Sequence, residues 1–172
     1  MPPMPLVRPY RESDWDEFLA LDIETGLMTL RYASEEDRAA FRQRWATVLR
    51  DRYGWTREGP ANDRSVVYVI EDDEGRYAGH LWLREREEPM TGAVQLWVQT
   101  VAIEAHHRSR GWGRLLMERA EAEAVARGIK GIALRVDADN VVARKLYEEM
   151  GYQTVRLRMI KRLDRSSLRP KP

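Results

Sequence analysis

At 172 residues the chain has the length of one domain and can bury a substantial core without a metal or disulfide staple. Its 43% hydrophobic and 33% charged residues are those of a globular protein, and no apolar run approaches the roughly 20 residues of a membrane span, which excludes an integral membrane protein. Disulfides, thiolate metal sites and a Cys nucleophile are excluded by the absence of cysteine, and the start MPPMPLVRPY lacks a signal-peptide layout, so a cytoplasmic setting is expected.

A net charge of +1, with basic and acidic residues interspersed, argues against nucleic acid as the main partner. Lysine occurs only at Lys130, Lys145, Lys161 and Lys171, so arginine dominates the 29 basic residues. Isolated surface arginines account for that bias without a special role.

Leu6-Val7-Arg8 reads as a short strand, and Ser13 to Leu21 as a helix opened by a capping-type Ser-Asp pair, with Trp15, Phe18, Leu19 and Ile23 near helical spacing. Ser34-Glu35-Glu36-Asp37 opens a second helix with a buried stripe of Phe41, Trp45, Val48 and Leu49, ended by Gly54. The stretch Trp55 to Arg64 has a loop composition. Val66 to Ile70, Tyr77 to Leu83 and Ala93 to Ile103 form three antiparallel strands, the first two joined at a solvated acidic turn, Glu71-Asp72-Asp73-Glu74-Gly75.

Gly113 to Arg127 then reads as a helix, Ile132 to Val136 as a strand, Asn140 to Met150 as a helix and Tyr152 to Leu163 as a last strand. On the last helix Val142, Leu146 and Met150 recur every four residues as a packing stripe, with Asn140, Ala143 and Tyr147 on an adjoining face. The expected fold class is α/β: one domain over 1–172, core about 6–164, with frayed ends at 1–5 and 165–172. Its mixed, mostly antiparallel sheet of six or seven strands is flanked by about four helices, and the strands ending at Ile103 and Val136 lie parallel across a helical crossover.

A ligand site is expected where the strand ending at Ile103 delivers the chain into Arg108-Ser109-Arg110-Gly111-Trp112-Gly113 and the next helix. Unpaired N–H groups at the positive end of a helix, with two glycines that let backbone approach closely, make an anion cradle. The third glycine of a dinucleotide fingerprint is missing, and no Gly-Lys-Ser/Thr follows as in a phosphate loop. A plain turn is the simpler account of two glycines taken alone.

This sequence resembles the GNAT superfamily of acyl-CoA-dependent N-acetyltransferases, whose Gln/Arg-x-x-Gly-x-Gly/Ala matches Arg108, Gly111 and Gly113. A second stretch, Asn140 to Tyr152, is similar to the family's N-x-x-A-x-x-L-Y-x-x-x-G-F/Y helix. The two motifs cover roughly 98–152; the amino-terminal half carries no diagnostic motif. The resemblance implies acetyl-CoA as cosubstrate, a primary amine as acceptor and no metal, in a monomer or homodimer.

It further implies a splayed parallel strand pair as the CoA cleft, with the backbone of Val101, Ala102 and Ile103 on the pantetheine arm and Ser109 to Arg114 on the pyrophosphate. Val101 or Ile103 would supply an N–H to the thioester oxygen, a contribution on the order of 3 kcal/mol. Arg108, Arg110 and Arg114 would add phosphate contacts, Asn140 would cap its helix and touch the CoA arm, and Tyr147 would be the general acid toward the departing sulfur.

No carboxylate stands at the family's usual base positions; Glu104 is the base candidate carried forward, with His80 and Asp137 behind it. The first two helices and the 55–64 loop would form the acceptor wall, with Trp15, Tyr32, Trp45, Tyr53 and Trp55 lining it or filling the core. A non-catalytic acyl-CoA-binding sensor is the alternative function.

Overall fold

The computed structural model describes residues 5–30 and 32–161. Two compact units divide the chain, Met1–Asp137 and Ala138–Pro172. The expected ends at 1–4 and 165–172, and the last two residues of the expected strand to Leu163, lie outside the described residues.

In the first unit the elements follow as β1 (Leu6–Pro9), α1 (Trp15–Thr29), α2 (Glu35–Tyr53), β2 (Trp55–Thr56), β3 (Gly59–Pro60), β4 (Ser65–Glu71), β5 (Tyr77–Glu87), β6 (Val94–Ile103), α3 (Trp112–Ala126) and β7 (Ile132–Ala133). The main sheet has the order β1-β4-β5-β6-β7, antiparallel except for the parallel pair β6 and β7. Four α-helices and a mixed, mostly antiparallel sheet are thus the architecture that the order of patterns predicted, with five strands in the main sheet among the described residues rather than six or seven.

The boundaries correct several local expectations. Trp55 to Pro60 is a small antiparallel hairpin rather than a loop, because Trp55 is drawn into the core at 2% exposure. Only Ile132–Ala133 of the expected Ile132-to-Val136 strand is extended ladder, and residues 152–161 form no strand. Asp14 does not cap α1; its carboxylate accepts from both terminal guanidinium nitrogens of Arg8 at 2.7 Å and from the Arg11 N–H at 2.7 Å. Ser34 does cap α2, its hydroxyl accepting from the Asp37 N–H at 3.1 Å.

Alternation along β5 sends Trp82 and His80 to one face and Leu81 and Leu83 to the other, and all four are buried. Trp82 joins Phe18, Leu49, Trp55 and Val67 in one cluster, with Phe18 stacked on Trp55 at 4.4 Å. Trp15, Trp45 and Tyr53 pack against that cluster, so of the five candidate wall aromatics only Tyr32 is widely exposed, at 67%. α3 packs along β4, β5 and β6 and buries Leu116, Met117 and Ala120. Arg8 also donates to Glu71 at 2.6 Å, so one buried guanidinium ties β1 to β4 and to the start of α1.

The acidic turn differs from its expectation in one residue. Asp72 is buried, and its carboxylate accepts the Glu74 and Arg76 N–H groups at 2.9 Å and Arg76 Nε at 2.9 Å. The Arg76 backbone N–H, above all, holds that carboxyl below the usual carboxylate range.

The second unit contains α4 (Val141–Glu149). Val142 is 82% exposed there, so the expected packing stripe is displaced; Tyr147 is buried and Ala143, Leu146 and Met150 are half-buried. The helix turns inward the face one residue round from the one apolar periodicity selects.

Candidate functional site

The open edge of β6 begins with a bulge. Trp82 pairs with Thr100 and Leu83 with Val98, so Gln99 is an extra residue with no counterpart on β5. On the other side β7 pairs only through Leu96 to Ile132 and Trp97 to Ala133, and the Leu96 N–H reaches Gly131 O at 2.9 Å. Beyond Trp97 the edge faces no strand among the described residues of the sheet.

Successive N–H groups of a strand alternate sides, and Glu104 N–H donates to Ala78 O on β5 at 2.9 Å. Ile103 and Val101 therefore turn their N–H groups to the open edge, and Ala102 turns its own to β5. Regular alternation carried through Gln99 would turn Leu96 pointing outward into Val101 pointing inward. The bulge is thus what exposes a donor at Val101. Arg108 Nε donates to the Ile103 carbonyl at 2.9 Å and its NH2 approaches Glu24 at 3.4 Å, so that side chain braces the end of β6.

A single 3₁₀ turn, Ala105–His107, carries the chain from β6 to the glycine turn. Ser109 has φ of 61°, a left-handed conformation that costs a non-glycine residue about 1–2 kcal/mol and that clusters at functional turns. Gly111 caps α3 at φ of 81°, with no side chain capping the helix. The Arg114 N–H is taken by Gly111 O at 3.0 Å, while those of Trp112 and Gly113 open the helix with no carbonyl a turn earlier to accept them. A Cβ built on Gly111 would meet no atom within 4 Å, so open space stands over the cradle.

The Trp112 side chain is buried and stacked on His107 at 4.6 Å, which leaves its backbone to face the cradle. Arg110 is exposed with its guanidinium 5.8 Å from the Trp112 ring, and Arg114 lies half-buried in the first turn of α3. Glu104 is partly exposed, with Oε2 3.5 Å from His106 Nε2, and Asp137 is half-buried beyond β7.

In the second unit Asn140 Oδ1 accepts the Ala143 N–H at 3.2 Å, the capping role its position suggests. Tyr147 is 9% exposed, its ring 5.8 Å from that of Tyr152, and burial pushes its phenol up to about 12.

Two groupings escaped sequence reasoning: the buried partners of His80, itself expected only as a base candidate, and a histidine pair. His80, fully buried, lies with Nδ1 2.5 Å from the Tyr77 hydroxyl and Nε2 3.4 Å from Asp22 Oδ1, the latter without hydrogen-bonding geometry. Asp22 also accepts Trp45 Nε1 at 2.6 Å, so this chain of polar groups cross-links α1, α2 and β5 inside the core. Asp22 within the apolar run Leu21-Asp22-Ile23 was its one visible sign. The second is His106-His107, two of only three histidines, placed directly before the glycine turn.

Two cavities open beside the amino-terminal helices, of about 220 Å³ between Trp15, Arg50 and Trp55 and of about 380 Å³ between Leu30, Phe41 and Trp45.

Fold and site together define a mixed α/β protein with a glycine turn and a helix start at the open edge of its sheet. The chain belongs to the acetyltransferase (GNAT) family, whose model matches residues 28–152. It is 31% identical over 94 residues to mycothiol acetyltransferase of Beutenbergia cavernae, covering 54% of this chain and 30% of that protein. Over 134 residues it is 30% identical to N-alpha-acetyltransferase 40 of Saccharomyces cerevisiae, covering 66% of this chain and 46% of that one. The chain thus spans less than half the length of these two curated relatives.

Among solved structures, a candidate acetyl transferase from Pyrococcus furiosus superposes with a TM-score of 0.74 at 24% identity, over 93% of this chain and 100% of that one. A ribosomal-protein-alanine N-acetyltransferase from Brucella melitensis gives 0.60 at 18%, over 93% and 100%. These two likenesses concern the fold. No helix among the described residues is long and apolar enough to cross a membrane.

Proposed function

We propose that the chain is an N-acetyltransferase that moves an acyl group from acetyl-CoA to a primary amine by direct attack in a ternary complex. The observation that carries this reading is the bulged edge of β6, with donors at Val101 and Ile103, leading into a helix end where the Trp112 and Gly113 N–H groups have no carbonyl a turn earlier to accept them. A long anionic thioester needs those two features in that order. The pyrophosphate takes N–H groups from Ser109 to Arg114, with Arg110 and Arg114 adding charge, and the pantetheine arm follows the edge of β6. Asn140 touches the CoA arm in the family motif while keeping its cap.

The amine nitrogen attacks the thioester carbon, and negative charge gathers on the carbonyl oxygen, where the Val101 or Ile103 N–H stabilises it. Glu104 takes the proton that the amine must lose. As the C–S bond breaks, Tyr147 donates to the sulfur. A phenol at about 12 remains protonated at neutral pH. Complete transfer to a thiolate of ordinary pKa, about 8.5, would be uphill by roughly 5 kcal/mol, so the phenol acts as a hydrogen-bond donor to the forming thiolate and solvent completes the protonation.

The acceptor is a primary amine, and the α1–α2 side with its two cavities is where its class is selected. Thiol release from acetyl-CoA against a panel of primary amines, run with wild type and Tyr147→Phe, tests the proposal. Amine-dependent release that falls in the variant supports it; tight acetyl-CoA binding with no release on any amine would favour the sensor instead.

A further inference from the structure

We propose that Glu104, His106 and His107 form a binding site for one divalent transition-metal ion of the zinc class. The three side chains offer ligand atoms that all lie within 4.8 Å of one another, on the single 3₁₀ turn between β6 and the glycine turn. Glu104 Oε2 and His106 Nε2 are 3.5 Å apart. Two ligands on a tetrahedral ion with bonds of about 2.0–2.1 Å stand roughly 3.4 Å apart, so this pair is already at coordination spacing.

Independent support comes from His107. It is 4% exposed, and neither of its ring nitrogens has a hydrogen-bond partner among the described residues. Leaving a buried polar group unpaired is destabilising. Stacking on Trp112 holds the ring in place but satisfies neither nitrogen. A metal ion on one nitrogen relieves that cost.

Asp72 stands behind the site. Its Oδ2 lies 3.7 Å from His107 Nε2, and its carboxylate is fixed by the Arg76 and Glu74 N–H groups. A carboxylate behind an imidazole is the usual way a metal-bound histidine is oriented. Two imidazoles and one carboxylate suit zinc, cobalt or nickel rather than calcium or magnesium. This site departs from the expectation that no metal binds.

The site shares Glu104 with the acyl-transfer reading, so a bound ion would withdraw that carboxylate from its role as base; the test reads metal binding alone and so fails or succeeds apart from turnover. The chain has three histidines and no cysteine, and His80 is sealed in the core against Tyr77, so an imidazole signal from added metal reports on His106 and His107. The experiment is calorimetric titration of the tag-free chain with zinc chloride, with Co²⁺ absorption spectra recorded in parallel.

About one ion per chain, a dissociation constant of micromolar order and tetrahedral cobalt bands are expected. His106→Ala, at an exposed position where folding is undisturbed, and His107→Gln should each weaken zinc at least roughly tenfold. Weak binding near millimolar in wild type would overturn the proposal, as would a His106→Ala variant that binds zinc as tightly as wild type.

Discussion

Replacing Gly111 by Leu tests the cradle against a control on the same helix. Gly111 at the amino end of α3 has φ of 81°, and Gly128 just past its carboxyl end has φ of 67°. A Cβ at either position meets no atom within 4 Å. Gly111→Leu and Gly128→Leu therefore impose a similar backbone penalty, about 1–2 kcal/mol, from a left-handed conformation that L-residues resist. For a chain of this size that lowers the melting temperature by roughly 2–8 °C.

Only the Gly111 side chain would enter the space over the Trp112 and Gly113 N–H groups. Loss of about two charge-assisted contacts at roughly 1.5 kcal/mol each predicts an acetyl-CoA affinity about a hundredfold lower in Gly111→Leu and unchanged in Gly128→Leu. Calorimetry with acetyl-CoA, beside thermal melts of both variants, measures the two effects separately. Equal affinity losses in the two variants, or full affinity in Gly111→Leu, would refute the cradle.

Tyr147→Phe should lower kcat by about a hundredfold while the acetyl-CoA dissociation constant stays within twofold, read from steady-state rates and calorimetry. The Tyr147 phenol is raised to about 12 by burial, so its contribution to stability is complete below the unfolded value near 10 and is lost as pH rises toward 12; alkaline melts across that window check it. Glu104→Gln should lower kcat by roughly a hundredfold, again without weakening acetyl-CoA. Asp14→Ala should lower the melting temperature by roughly 5–12 °C, because breaking a buried ion pair costs about 3 kcal/mol even with Glu71 still on Arg8.

Patterns of period two and 3.6 carried the order of elements, because a face that must be buried leaves its mark on every residue of it. The presence or extent of short elements left no such mark. Trp55–Thr56 and Ile132–Ala133 are two-residue ladders whose extension depends on neighbours far along the chain. The glycine turn was legible because its backbone demands, at Gly111 above all, are met by one residue type. Asp14 and Asp72 were misread for the opposite reason: a carboxylate near a helix start or in a turn looks the same whether it faces water or a guanidinium, and Arg8 and Arg76 decide which. Burial of Tyr147 rather than Val142 on α4 turns on the helix's rotation, which nine residues leave underdetermined.

The central claim is that the β6 edge and the amino end of α3 hold one acetyl-CoA molecule between them. A crystal structure of the chain with acetyl-CoA tests it most directly. Pyrophosphate oxygens about 2.7–3.1 Å from N–H groups between Ser109 and Arg114, with the thioester oxygen at the Val101 or Ile103 N–H, are the predicted result. Acetyl-CoA seated elsewhere, with the turn at Gly111 untouched, would contradict it.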